Sequence, residues 1–426
     1  METQTEAEGR AGAGSGAGRT SVLRRLLPRR TAERRPRETG PLGTDPRRPG
    51  ARRPTALLAL GAAALLLAGV SVVLLCRALD VDGVTPVPQL LAFLPWLLVP
   101  AGAGLAFAAL ARWRTGVVWG VLALAVTGWF CRPYGDAAAP DGPAAAQVRV
   151  LTSNVEYGGA TEELIRAVVR EKPDLVFVQE CDLRCSGALE RRLGERFPHR
   201  SLVEATGAEG SAILSRYPLR RTAGVRGTLG MPGAVADVEG HAVRLQLAHP
   251  MPPVPGGVGL WRSELDGLRD EAAGAGAGAE AATDRDTATG TDTRTDTDTR
   301  TRTRTGTGKA TVTRTDTGTG IRTERNPGTD QPTILAGDFN AGQDHAAFRR
   351  ILDTGLRDST RLAGGTRTPT WPASTAPPLG TQIDHVLVSR HFAARDARFL
   401  DLAHTDHRSL VVDLTLHSTL HSGKGR

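Results

Sequence analysis

Residues 55–76 read TALLALGAAALLLAGVSVVLLC, without a single charged side chain. A run this long is no strand, and as a helix it is apolar on every side, so it needs lipid or protein around it. Two further apolar segments follow. Residues 89–111 read QLLAFLPWLLVPAGAGLAFAALA and residues 115–130 read TGVVWGVLALAVTGWF. Proline and glycine inside the second are tolerated in membrane helices. Trp113, Trp119 and Trp129 stand near segment ends, as interfacial aromatic residues do. The first run begins too far into the chain for a cleaved signal peptide. Three transmembrane helices are therefore expected within residues 54–132.

The charge is distributed in a way that fixes their orientation. The formal net charge is +8, but residues 1–53 carry 13 Lys/Arg against 6 Asp/Glu, and the rest is close to neutral. The basicity thus belongs to an N-terminal tail whose Gly, Arg, Pro and Ala composition buries no core and predicts disorder. A neutral remainder argues against a broad nucleic-acid-binding face. Basic loops stay on the cytoplasmic side. The tail and the Arg112–Arg114 turn are expected there, and RALDVDGVTPVP (77–88) outside. Three spans then place everything after residue 132 outside the cell, in a multi-pass cell-membrane protein.

Beyond residue 146 the pattern changes to short β-type runs alternating with helical ones. QVRVLTSNV, DLVFVQE, SAILSRYP, VRGT, AVADVEG, HAVRLQLAH, PTILAGDFN, TQIDHVLVS and RSLVVDLTLH read as strands. TEELIRAVVREK (stopped by Pro173), GALERRLGERF, LWRSELDGLRDE and AAFRRILDTG read as helices. Two clusters of strands, each with its own helices, predict two packed sheets covered by helices rather than one doubly wound sheet. This domain spans residues 146–418. It is interrupted at 271–330 by a near-repetitive Thr/Asp/Arg tract with no apolar face at any period, expected as a solvated insertion. Cys181 and Cys185 leave two readings open, a short local disulfide in an exported domain or free thiols. No cysteine or histidine cluster suggests structural zinc.

Five strands end on a polar residue in phase with an apolar face. Asn154 follows Val148 and Val150, and Glu180 follows Val176 and Val178. His249 follows Val243, Leu245 and Leu247, and Asp338 follows Ile334 and Ala336. Asp384 is in phase with Val386 and Val388. Such groups are costly to bury singly, and five of them predict convergence at one sheet edge, where hydrogen bonds or a cation offset desolvation.

The motifs SNV (153–155), VQE (178–180), AILSRYP (212–218), AHP (248–250), GDFN (337–340), TWP (370–372), IDHV (383–386) and TDHRSL (405–410) occur in that order. The chain resembles the endonuclease/exonuclease/phosphatase, or DNase I-like, family of metal-dependent phosphoesterases. Its three-span layout is similar to actinobacterial members linked to teicoplanin resistance. The resemblance implies a four-layer α/β sandwich, two packed mixed β-sheets flanked by helices. It also implies in-line water attack on a phosphate ester, with Mg2+ as cofactor and Mn2+ as a substitute. Glu180, Asn154 and Asp406 are the implied metal ligands. Asp338 is implied to orient or deprotonate water and Asn340 to hold a phosphate oxygen. Asp384 is implied to fix His407, and His249 to meet the phosphate or the leaving group. Asp338 and His407 both remain candidates for the base. Carboxylate and amide oxygens are the hard donors that Mg2+ prefers.

The expected function is a membrane-embedded phosphoesterase acting on phosphate esters, including lipid-linked phosphate or pyrophosphate, at the outer face. An extracellular nuclease and a non-catalytic phosphate-binding module are the alternatives. No protein partner is predicted.

Overall fold

The computed structural model describes residues 54–135, 140, 142–274, 331–376 and 379–418. The expectations for the 1–53 tail and for nearly all of the Thr-rich tract lie outside these residues.

The described residues start with helices α1 (Pro54–Ala78), α2 (Val87–Ala92), α3 (Leu98–Leu110) and α4 (Arg114–Phe130). The expectation of three membrane spans is corrected here. Among the described residues, only α1 is long and apolar enough by itself to cross a bilayer. Its 25 residues reach about 37 Å at ~1.5 Å per residue, past a hydrocarbon core of ~30 Å. The second segment is broken, because Pro88 sits at the start of α2 and Pro95 lies in a 3-10 turn, Leu94–Leu97, that precedes α3. The third is 17 residues long, or about 25 Å.

These helices nevertheless pack as a bundle around Leu67, Val70, Leu74, Leu94, Ala101 and Ala123. Small residues let them approach: a side chain at Gly104 would strike Leu67, and one at Gly120 would strike Leu105. Trp119 Nε1 donates to Ser71 Oγ at 2.8 Å across two helices. Large apolar side chains, among them Leu58, Leu65, Val99, Leu110, Val118 and Leu122, point outward.

Among the described residues the sandwich contains twelve strands: β1 (Ala144–Asn154), β2 (Leu175–Gln179), β3 (His199–Val203), β4 (Ser211–Ser215), β5 (Leu219–Thr222), β6 (Gly233–Val238), β7 (His241–Ala248), β8 (Thr333–Asp338), β9 (Arg357–Asp358), β10 (Asp384–Val388), β11 (Phe392–Asp401) and β12 (Arg408–His417). Sheet A has the order β11-β12-β1-β2-β4-β3 and sheet B the order β5-β6-β7-β8-β10-β9. Each is mixed: β1 pairs β2 and β7 pairs β8 in parallel, and the other pairs are antiparallel. Val148, Val150, Phe177, Leu245, Leu247, Ile334, Val386 and Val412 fill the space between the sheets. Helices α5 (Thr161–Glu171) and α6 (Leu183–Leu193) cover sheet A through Leu164, Val168, Leu189 and Leu193. Helices α7 (Val258–Ala272) and α8 (Ala346–Leu352) cover sheet B through Trp261, Leu265, Phe348 and Ile351. A short α9 (Ser359–Leu362) follows β9. Two packed mixed sheets flanked by helices are thus present, as expected. The VRGT segment is irregular rather than a strand; β6 pairs with β5 instead.

The bundle rests on the domain at one end. Arg77 at the end of α1 meets Asp344 at 3.4 Å, and Asp82 accepts from Ala347 N at 2.8 Å. Pro88 O lies 2.8 Å from His345 Nε2, ahead of α3. After α4, Tyr134 Oη donates to Asp353 at 2.9 Å. The C-terminal ends of α1 and α4 and the N-terminal side of α3 therefore face the domain, and the Arg112–Arg114 turn joins the opposite ends of α3 and α4.

Candidate active site

Strand direction explains why distant residues meet. β1, β2, β7 and β8 bring their C-terminal ends to one edge, and the antiparallel β10 and β12 bring their N-terminal ends there. Asn154 and Asp338 close β1 and β8, and Asp384 opens β10. Glu180 and His249 directly follow β2 and β7, and Asp406 and His407 directly precede β12. Gly337 is required by close approach: at φ +151° its Cα faces β7 so tightly that a Cβ would lie 2.0 Å from Ala248 O.

Asp338 and Asp384 are register partners. Like charges directly opposite in a strand pair repel, and both side chains are buried. His407 stands between them. Its Nδ1 is 2.9 Å from Asp384 Oδ2, and its Nε2 is 3.6 Å from Asp338 Oδ2 and 3.7 Å from Asp406 Oδ1. Burial opposes a charge on His407, but Asp384, Asp338 and Asp406 outweigh it and raise its pKa above the ordinary histidine value. Burial raises Asp338 as well, opposed by the His407 charge.

Asn154 bridges the two sheets. Its Nδ2 donates to Glu180 Oε1 at 3.1 Å and to Asp338 Oδ2 at 3.2 Å, while its Oδ1 accepts from Glu156 N at 3.0 Å. Glu180 also accepts from Tyr157 N at 3.1 Å, and burial raises its pKa against those two donors. His249 Nε2 lies 3.8 Å from Glu180 Oε1, and burial lowers the His249 pKa to about 3, so this ring is neutral. Asn340 donates from its backbone N to Asp338 Oδ1 at 2.8 Å and from Nδ2 to Pro250 O at 2.9 Å. All eight residues named from the sequence lie in this one network or at its rim.

The alternation argument holds for Asn154, His249, Asp338 and Asp384, whose strands direct Val150, Leu247, Ala336 and Val386 into the inter-sheet core. It fails for Glu180. Val176 and Val178 face the helices of the other layer, and continued alternation would carry Glu180 there. Instead its backbone turns left-handed, φ +55°, and brings the carboxylate back to the shared edge. A non-glycine residue in that region is uncommon and concentrates at functional sites. Asn340 makes the same departure, φ +47°.

Three supporting residues escaped notice or weight in the sequence. Trp371 Nε1 donates to Asp406 Oδ2 at 2.7 Å, fixing an otherwise half-exposed acid. Thr370 Oγ1 accepts from Ile383 N and Asp384 N at 3.0 and 3.1 Å. Glu264 on α7 accepts from Met251 N at 2.7 Å and Thr228 N at 2.6 Å, tethering the turn after His249. Its signal was available: an acid inside the buried Trp261, Leu265, Leu268 stripe of a helix.

The donor set fits a divalent cation. Glu180, Asp338, Asp384 and Asp406 gather around one imidazolium, and Asp384 Oδ1 is buried with no hydrogen-bond partner among the described residues. Glu180 and Asp406 are the more open carboxylates, with side chains 16% and 44% exposed against 3% and 1% for Asp338 and Asp384. They offer hard oxygens at the rim. The Asp338, Asp384 and His407 ligand atoms also lie within 4.8 Å of one another, but there His407 already supplies the positive charge. Asn154 has turned its nitrogen, not its oxygen, toward Glu180, so here it positions that carboxylate.

The profile of the endonuclease/exonuclease/phosphatase family matches residues 151–407, more than half of the chain. Compared by sequence with curated proteins, the chain matches none. Among solved structures it is similar to an endonuclease/exonuclease/phosphatase from Beutenbergia cavernae DSM 12333, at 16% identity over 64% of this chain and 72% of that one, TM-score 0.41. A Neisseria 3' phosphatase bound to a product DNA hairpin gives 17% identity, 62% and 98% coverage, and TM-score 0.40. An AP endonuclease from Archaeoglobus fulgidus gives 14% identity, 62% and 98% coverage, and TM-score 0.39.

Proposed function

The chain belongs to the endonuclease/exonuclease/phosphatase family, and on that premise we propose that it is a divalent-metal-dependent phosphoesterase anchored in a membrane. The observation that carries the reading is the buried Asp338–His407–Asp384 array joined through Asn154 to Glu180. Asp338 accepts the proton of the attacking water, since a carboxyl raised by burial is a better base near neutral pH. Water oxygen bonds to phosphorus and the ester oxygen departs opposite. His407, held as imidazolium by Asp384, binds a phosphoryl oxygen and accumulating negative charge. Neutral His249 offers Nε2 as a hydrogen-bond donor to the same group, and Asn340 holds the His249 loop through Pro250. Glu180 and Asp406 would hold Mg2+ or Mn2+, with Asn154 and Trp371 orienting them. When bound, the cation polarises the phosphoryl group and stabilises the leaving oxygen.

The bundle is read as membrane-embedded, with α1 as its full-length span and the shorter apolar α3 and α4 packed beside it. Its outward Leu and Val side chains support this, as do the exposed Trp96 and Trp129 at the domain end and Trp113 beside Arg112 and Arg114 at the other. The basic residues of that turn and of the tail support a cytoplasmic N-terminus and an outward-facing domain. A bonded Cys181–Cys185 pair fits an oxidising compartment. A site seated on such an anchor favours a lipid-linked phosphate or pyrophosphate as substrate.

The test is a substrate panel on the purified full-length protein: a polyprenyl pyrophosphate in micelles, a phospholipid and single- and double-stranded DNA. Release of phosphate from the lipid pyrophosphate alone is expected. Preferential DNA cleavage would replace this reading with the nuclease one.

A further inference from the structure

Between the domain end of the bundle and the outer side of sheet B lies a cavity of about 600 Å3. Pockets that hold a small molecule span about 300–1,000 Å3. None of the eight site residues lines it. β10 separates the two, with Asp384 on the site side and His385 on the cavity side. His385 is already engaged by Asp358 at 2.7 Å and Ala341 O at 3.2 Å, so it belongs to the wall.

The walls differ by origin. The bundle supplies Leu91, Pro95 and Leu98, and the domain supplies Phe348 together with Arg361 and Arg367. Arg367 is neutralised by Asp344 and donates to Phe130 O at 2.8 Å. Arg361 is different: its Nε is buried without a hydrogen-bond partner among the described residues, a condition buried donors rarely show. One wall of the cavity is therefore hydrocarbon-like and belongs to the bundle, and the domain wall carries Arg361, whose Nε has no acceptor among the described residues. The exposed Trp96 beside Pro95 and the half-exposed Tyr134, which lines the cavity, set it at the level where interfacial aromatics meet headgroups.

We propose that this cavity is a binding site for one anionic phospholipid, its headgroup phosphate on Arg361 and its acyl chain against Leu91 and Leu98. The inference rests on the membrane-anchored reading above. Lipid bound there would brace the joint between bundle and domain without entering the hydrolytic site.

Full-length protein in phosphatidylcholine vesicles, doped with tail-diazirine phosphatidylglycerol or tail-diazirine phosphatidylcholine, is illuminated, digested and mapped by mass spectrometry. Phosphatidylglycerol adducts are expected on the peptides around Leu91–Leu98 and Phe348. Arg361→Gln should lower them about tenfold, the scale of one charge-assisted hydrogen bond. Leu98→Trp, which fills the cavity, should remove them, and retained phosphate-ester turnover in both variants shows that they fold. Excess inorganic phosphate should leave the adducts in place; their loss would mark a simple anion site and overturn the lipid assignment. Equal labelling by phosphatidylcholine, or labelling confined to the outer bundle surface, would also overturn it. Extraction of the protein by alkaline carbonate would instead remove the membrane reading, and this inference with it.

Discussion

In the sandwich Phe177 and Leu247 are wholly buried, while in the bundle Leu58, Leu65 and Leu110 stand 74%, 77% and 73% exposed. The polar residues invert the same way. Asp338, Asp384 and His407 are buried at the sheet edge and satisfy one another, whereas the polar contacts of the bundle gather where it meets the domain. Each region is consistent with a different solvent. The sandwich hides apolar surface from water and concentrates charge where chemistry needs it. The bundle offers apolar surface to its surroundings, the kind of surface a membrane or a partner protein covers.

The most severe break of this comparison is Asp338→Ala. Loss of a positioned general base should lower kcat by about 10²–10⁴-fold, measured as phosphate release from the polyprenyl pyrophosphate, with the membrane-bound fraction unchanged. Full turnover in that variant would remove Asp338 from the reaction.

Leu65→Arg probes the other region. An arginine at the centre of a membrane helix costs about 2.5–3.5 kcal/mol, but a surface substitution in water falls within roughly 0.5 kcal/mol. A marked fall in the carbonate-resistant fraction is expected. An unchanged fraction would mean that α1 faces water.

Trp371→Phe sharpens the joint between the regions. Trp371 meets Phe93 of the bundle with ring centroids 6.4 Å apart and planes tilted by 53°, while donating to Asp406. The variant keeps a ring and loses the donor, so Mg2+ affinity should drop by about 10–100-fold, read from the activation curve, while saturating Mg2+ restores most turnover.

The smallest effect is on stability against pH. Asp338 and His407 both have raised pKa values, so the folded, metal-free protein binds more protons than the unfolded chain above neutrality. Its stability therefore falls as pH rises. The His407 contribution is complete below the ordinary histidine value and is lost as pH climbs through the raised one. Thermal melts in EDTA between about pH 7 and pH 9 should show a decline, and a shallower one in Asp384→Asn. A rise in that interval would contradict the charge assignment.

Much of this was legible in sequence. Two clusters of strands foretold two sheets, and the shared parity of Asn154, His249, Asp338 and Asp384 foretold their convergence. Strands β3, β5, β9 and β11 were missed, and all four are edge strands: LRRT and FAARDARFLD carry exposed charges where a central strand carries valine. Helix α6 begins earlier than GALERRLGERF suggested, because Asp182 caps it, accepting from Arg184 N and Cys185 N. Glu180 reached the site by a left-handed turn, which no periodicity encodes. The apolar count of residues 89–111 concealed the break near Pro95, since composition is blind to where a proline interrupts hydrogen bonding.

The account turns on whether the four acids and His407 form a working phosphoesterase centre. Hydrolysis of a phosphate ester by the purified full-length protein, measured before EDTA, after EDTA and after Mg2+ or Mn2+ is returned, tests it most directly. Turnover that vanishes with chelation and returns with the ion is expected. Absence of turnover with either ion, or turnover indifferent to EDTA, would contradict it.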